Sequence, residues 1–255
     1  MKLALLVASV ALAAAPLSAD CFGEAERSAS ISTAGAQSIH VIGRSGTLLV
    51  QGKAGLSEAR ATGKVCASTR QLVDEIRIDV SRKGDVVTVE AIIPEDRGSI
   101  WPFGLGGYAQ LDLVVELPSN LPVRVTDGSG ETWIRDIGAG NVRDGSGALE
   151  ITNVSGNLVV SDGSGSMVIR KVGGTVEITD GSGSIEVDEV GNNVIVTDGS
   201  GSMDISNVRG NVIVENDGSG GITVSNVGGD FTVRNDGSGG VDHTDVRGQV
   251  RLPRD

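Results

Sequence analysis

The chain has 255 residues, 38 of them glycine, with 2% aromatic residues and a formal charge of −12. One Tyr, two Trp and three Phe cannot supply an aromatic-rich core or a stacking platform for single-stranded nucleic acid, and the excess of carboxylates opposes binding to a phosphate backbone. The 39% hydrophobic content still permits a core, which must be aliphatic.

In chain order, residues 1–19 read as a secretory leader. Lys2 gives the positive end, residues 3–15 the apolar run, and Leu17-Ser18-Ala19 a small-residue cleavage site, so the mature chain is expected to start at Asp20. The apolar run is too short to cross a bilayer, and no transmembrane segment is expected. Asp20 stands where lipid attachment to Cys21 would need a small uncharged residue. Losing Lys2 takes the formal charge to −13. An exported chain with only Cys21 and Cys66 most economically pairs them, which in the loop-entropy model contributes roughly 4 kcal/mol. The alternative is two unpaired small hydrophobes.

Residues 20–120 carry strand-like runs at 38–42, 47–51, 75–80, 85–93 and 111–117, and residues 68–74, with Ser68 or Thr69 as N-cap, predict one short helix. Trp101, Phe103 and Tyr108 cluster beside Gly104, Gly106 and Gly107. They are candidate sugar or partner contacts, or a loop that covers the flank of the fold.

Residues 121–255 are repetitive. Asp-Gly-Ser-Gly begins at Asp127, Asp144, Asp162, Asp180, Asp198, Asp217 and Asp236, at spacings of 17, 18, 18, 18, 19 and 19. Counting each Asp as position 1, aliphatics recur at positions 6, 8, 11, 15 and 17, as in Met167, Ile169, Val172, Val176 and Ile178. Period-two alternation on either side of position 11 predicts two short strands per repeat. The tetrapeptide forms one turn and a Gly-containing segment such as 207–211 the other. Five buried aliphatics return roughly 7–15 kcal/mol, against about 27 for ordering one repeat, so no repeat stands alone. Stacked, they form a parallel β-solenoid rising ~4.8 Å per coil. His243 at an aliphatic position, Pro253, and Arg247, Arg251 and Arg254 predict an edge stop at the C-terminal end. In the first repeat Gly138-Ala139-Gly140 leaves a shortened second strand over 141–143, whose pairing is open.

The leader, the cysteine pair, Trp101-Pro102-Phe103-Gly104, Leu117-Pro118 and tandem coils such as Asp180 to Ser184 resemble the bacterial putative-adhesin family, a group of exported β-solenoid proteins of unknown function. The resemblance implies a cell-envelope setting and an adhesive or binding role, and brings no catalytic residues with it.

Four rows of side chains carry candidate chemistry. The seven turn aspartates are structural caps for their own Ser and Gly amides, with calcium ligation as the sharper alternative. Position 7 is an outward acidic row of Glu150, Glu186, Asp204 and Asp242. Glu186 and Asp204 on adjacent coils fit the ~5 Å separation of a retaining glycosidase pair. Position 16 places Val159, Ile195 and Ile213 outward, interrupted by Glu177, as a docking stripe or as simple β-propensity filling. Asn153, Asn207 and Asn226 share position 10 as a structural amide row. Neither His40 nor His243 belongs to a nucleophile motif, and no cofactor is expected.

The expected fold is therefore an all-β, single-domain parallel β-solenoid of about 18–19 residues per coil: leader 1–19, irregular N-terminal region and cap 20–120, regular coils 121–255. The expected function is a non-enzymatic binding or structural role in the periplasm, at the cell surface or outside the cell, with an unknown envelope or surface partner. A polysaccharide-active enzyme or a calcium-binding solenoid is the competing class.

Overall fold

A computed structural model describes residues 21–94 and 108–253. The leader, Asp20, Trp101, Phe103 and Arg254 lie outside these residues.

The elements run β1 (Gly23–Ser32), β2 (Ser38–Ile42), β3 (Leu48–Lys53), β4 (Glu58–Ala67), α1 (Arg70–Glu75), β5 (Arg77–Lys83), β6 (Val86–Ile92), β7 (Ala109–Pro118), β8 (Val123–Thr126) and β9 (Thr132–Ile137). The repeats continue as β10 (Gly140–Asp144), β11 (Gly147–Val154), β12 (Leu158–Asp162), β13 (Gly165–Val172), β14 (Val176–Asp180), β15 (Gly183–Val190), β16 (Val194–Asp198) and β17 (Gly201–Val208). The last are β18 (Val212–Asp217), β19 (Ile222–Val227), β20 (Phe231–Val233), β21 (Val241–Val246) and β22 (Val250–Arg251). They form two 11-stranded sheets, one of β1, β3, β4 and the odd-numbered strands from β7 to β21, the other of β2, β5 and the even-numbered strands from β6 to β22.

Each coil gives one strand to each sheet, and the sheets face each other across the aliphatic core. In β14, Val176 and Ile178 point inward while Glu177 and Thr179 point out, the two-residue alternation of a half-buried strand. Met167, Ile169, Val172, Val176 and Ile178 are all buried, as positions 6, 8, 11, 15 and 17 predict. Coils stack parallel and in register, Met167 on Ile185 and Ile169 on Val187. The 19-residue coil that starts at Asp198 takes up its extra residue as a bulge at Glu215, opposite Val196 and Thr197, so Asp198 still pairs with Asp217. The shortened first repeat keeps its pairing too: Gly140 stands beside Leu158, whose Cδ1 would lie 2.9 Å from a Cβ there.

The tetrapeptide makes one corner. Its fourth residue is left-handed in every copy, φ running from 127° at Gly130 to 149° at Gly239, which suits glycine alone. Its first glycine, the second residue of the tetrapeptide, has no such φ and is required by stacking instead. A Cβ at Gly181 would sit 2.4 Å from Gly163 O of the preceding coil. At the opposite corner position 10 is left-handed in all seven repeats: Asp136, Asn153, Lys171, Glu189, Asn207, Asn226 and Asp245, with φ between 51° and 60°.

The N-terminal half stacks out of sequence order. β2 and β3 form the coil next to β8 and β9, and their turn, Gly43-Arg44-Ser45-Gly46, is a degenerate eighth copy of the tetrapeptide, with Ser45 bridged to Ser129. β6 and β7 pack outside that coil although they follow it in sequence. Antiparallel β4 and β1 close one sheet and β5 the other. The predicted helix is α1, capped by Thr69 Oγ1, which accepts from Leu72 N at 3.2 Å. Glu75 ends α1 and does not start the strand predicted at 75–80. Arg27 of β1 donates to Val73 O at 2.7 Å and Ile76 O at 2.8 Å, satisfying carbonyls that the helix end leaves open. Cys21 and Cys66 are disulfide-bonded, their Cα atoms 5.3 Å apart. At the other end the His243 ring lies edge-on to Phe231, centroids 6.1 Å apart, and covers the last buried aromatic. No helix among the described residues is long and apolar enough to cross a membrane.

Candidate functional site

The position-10 corner builds a groove. The left-handed residue turns the chain out of the first strand, position 11 drops its Val into the core, and position 12 is glycine in several coils, so the corner carries little side-chain bulk. A groove of about 1010 Å³ follows it from Asn153 to Arg247, floored by Gly173, Gly191 and Gly228. Lys171, Arg209 and Arg247 line it. None of the three joins an ion pair among the described residues, where Arg135, Arg170, Arg234 and Arg251 each do. They fall on alternate coils, about 9.6 Å apart along the axis, with Glu189 between the first two.

The asparagines of this corner bond along the axis. Asn226 Nδ2 donates to Asn207 Oδ1 at 2.6 Å, Asn207 Nδ2 to Asp188 Oδ1 at 2.5 Å, and Asn153 Nδ2 to Asp136 Oδ1. The Ser206 hydroxyl, 2.7 Å from Asp188 Oδ1, is the main cause of a lowered Asp188 pKa, aided by Asn207. The groove was not evident from the repeat register, because its cations come from two positions, Lys171 from position 10 and Arg209 and Arg247 from position 12.

Glu186 and Asp204 are in-register neighbours on β15 and β17, as the spacing predicts. Basic residues reach this row from the preceding coil: Arg170 Nη2 is 2.5 Å from Glu186 Oε1, and Arg135 pairs with Glu150 at 3.5 Å. Position 9 and position 7 of the next coil are side-chain neighbours on one sheet face, which counting within one repeat does not reveal. Both carboxylates stand exposed.

Val159 is 39% exposed, Ile195 and Ile213 are half-buried, and Glu177 separates Val159 from Ile195 in the sheet. Val159 also borders a depression of about 410 Å³ with Val86, His40, Arg124 and Asn141. His40 Nε2 lies 3.1 Å from Thr126 Oγ1; burial, then the Arg124 charge, lowers its pKa. Tyr108 is half-buried in the N-terminal cap, its carbonyl accepting from Ser68 N at 3.0 Å.

The turn aspartates differ most from expectation. Their carboxyls face the core: Asp127, Asp144, Asp162, Asp180, Asp198 and Asp217 are between 1% and 6% exposed. Position 1 continues the inward phase of positions 15 and 17, and this parity outweighs the polarity of the side chain. Two turn amides are capped, Gly145 N donating to Asp144 Oδ1 at 3.0 Å and Ser200 N to Asp198 Oδ1 at 3.2 Å. Burial raises the pKa of Asp127, Asp180 and Asp217 to about 6 and of Asp144 to about 7, with neighbouring carboxylates adding to the rise at the last three. No group of three or more His, Cys, Asp or Glu able to hold a metal ion occurs among the described residues.

No protein-family model and no curated protein matches the chain. Solved structures similar to it include a putative adhesin from Bacteroides fragilis NCTC 9343, at 13% identity over 90% of this chain and 97% of that one, TM-score 0.46. A putative lipid binding protein from Parabacteroides distasonis ATCC 8503 is 14% identical over 91% and 98%, TM-score 0.43. A putative cell adhesion protein from Clostridium sporogenes ATCC 15579 is 12% identical over 90% and 99%, TM-score 0.37. These are likenesses to this chain; its functional reading rests on its own surface.

Proposed function

We propose that this chain is an exported, non-enzymatic binding scaffold of the cell envelope, with the position-10 corner as its contact surface. The observation that carries this is the groove over successive coils, in which Lys171, Arg209 and Arg247 join no ion pair among the described residues of a chain of net charge −12. A row of weak sites on a stiff rod engages a repeating partner by multivalency, since each further contact is intramolecular once the first forms. The cations and the amide-lined corner suit an extended anionic polymer better than a small molecule, which would need a deep enclosed pocket. The leader and the disulfide support export. The outer row at position 16 and the aromatics Trp101, Phe103 and Tyr108 are candidate secondary contacts.

The competing reading assigns hydrolysis to Glu186 and Asp204. The Arg170 ion pair and the open sheet face speak against it, because a glycosidase acid needs a partly desolvated carboxyl beside its partner. Co-sedimentation of the purified chain with envelope polysaccharide, together with an assay for new reducing ends, tests the proposal. Binding without release supports it; release that disappears in Glu186→Gln overturns it.

A further inference from the structure

The geometry points to a proton-sharing spine: the inward aspartates of the tetrapeptide turns hold protons between successive carboxyls and make the solenoid more stable in acid than in mildly alkaline solution. The register sets the row. Asp144, Asp162, Asp180 and Asp198 are direct partners on β10, β12, β14 and β16, Asp217 follows on β18, and Asp236 ends the row through a bridge to Asp217. Successive carboxyls are thus one coil rise apart, about 4.8 Å between backbones.

An ionised carboxylate only accepts hydrogen bonds, whereas a protonated one also donates. With every member ionised the row lacks donors. Eight of its oxygens, on Asp144, Asp162, Asp180, Asp198, Asp217 and Asp236, are buried with no hydrogen-bond partner. Asp198 nevertheless faces Asp180, and Asp217 faces Asp236, within hydrogen-bonding reach. A proton between them converts two orphaned acceptors into a short charge-assisted bond.

The surroundings hold no competing cation. Asp180 faces Asp162 and Asp198, with the Gly181 and Ser182 amides. Asp144 faces Asp127 and Asp162, with Gly145 N. Asp162 lies beside the Gly163 and Ser164 amides without a well-formed hydrogen bond to either, and Asp198 beside those of Gly199 and Ser200. Asp127 meets Thr132 Oγ1 at 3.3 Å, and across from it Gly43 offers no side chain. Asp217 faces Asp198 and Asp236. No Lys, Arg or His bears on Asp127, Asp144, Asp162, Asp180, Asp198 or Asp217 among the described residues.

The sign follows from linkage. Carboxyls whose folded pKa lies above the unfolded value bind more protons folded than unfolded, so stability falls as pH rises. Here the window runs from about 4, where unfolded Asp titrates, to about 7, the upper folded value at Asp144. The carboxyls titrate as a coupled set, not singly.

The test compares melting of the wild type, Asp180→Asn and Glu177→Gln from pH 4 to 8. Both variants remove one carboxylate from β14, the first inward and the second outward. The spine predicts a wild-type Tm lower at pH 8 than at pH 4 by roughly 5 °C or more, a shallower slope and a higher Tm at pH 8 for Asp180→Asn, and an unchanged slope for Glu177→Gln. Equal slopes in the two variants would trace the effect to net charge and overturn the spine. The infrared carbonyl band of protonated carboxyl, measured on the wild type at pH 6, decides independently of any variant. The spine predicts the band in the folded protein and its loss on unfolding in denaturant, and its absence from the folded protein overturns the idea.

Discussion

A Cβ built at Gly43 would fall 2.0 Å from Asp127 Oδ1, so the carboxyl of Asp127 occupies the space a side chain at residue 43 would need. This contact ends the aspartate row on the N-terminal side, where the degenerate turn places glycine in register with aspartate. Gly43→Ala is expected to cost about 1–3 kcal/mol by overpacking, and far less in an Asp127→Ala background. A double-mutant cycle by denaturant unfolding measures the coupling; additive costs would mean that residue 43 is constrained by something else.

Turn glycines should divide sharply by stacking. A Cβ at Gly183 would lie 1.6 Å from Gly165 O and φ there is 143°, whereas Gly221 has open space around it. Gly183→Ala is expected to cost about 4 kcal/mol or more and Gly221→Ala less than about 1, read from urea midpoints. Similar losses at both sites would refute the stacking explanation.

Position 10 offers a stabilising change. Glu189 holds φ 59°, a conformation costing a non-glycine residue roughly 1–2 kcal/mol and tolerated best by Asn or Asp among side chains. Asn153, Asn207 and Asn226 stand at the same corner. Glu189→Asn should raise Tm by about 2–4 °C, and a fall in Tm would show that the Glu side chain contributes more than its backbone strain costs.

The disulfide should act locally. Cys21–Cys66 joins the start of β1 to the end of β4, and coils contact only their neighbours. Replacing both cysteines by serine should cost about 2–4 kcal/mol in the unfolding of the cap. Amide exchange should speed up in β1 and β4 with little change in β15 and β17. Uniform loss of protection would show that the rod unfolds as one unit.

The repeat made the coils legible because position parity fixes both strand phase and burial. The same parity places the aspartates inward, which reading them as caps of their own turn did not address. β1 and β4 escaped notice because Ala25 and Ala29, or Ala59 and Ala61, are weak inward markers beside Val or Ile. Gly43-Arg44-Ser45-Gly46 was hidden by its first two residues. The groove depends on cations from different positions of separated coils, and the register brings them together only once the corner's geometry is known.

The most direct test of the functional account is co-sedimentation of the wild type and of the Lys171→Ala/Arg209→Ala/Arg247→Ala triple variant with host envelope polysaccharide over a range of salt concentrations. All three side chains stand at the groove's surface, so the triple variant should fold with an unchanged melting profile. The account predicts wild-type binding that weakens as salt rises, and at least a tenfold loss in the variant, the equivalent of about 1.4 kcal/mol. Equal binding by the two proteins would contradict it.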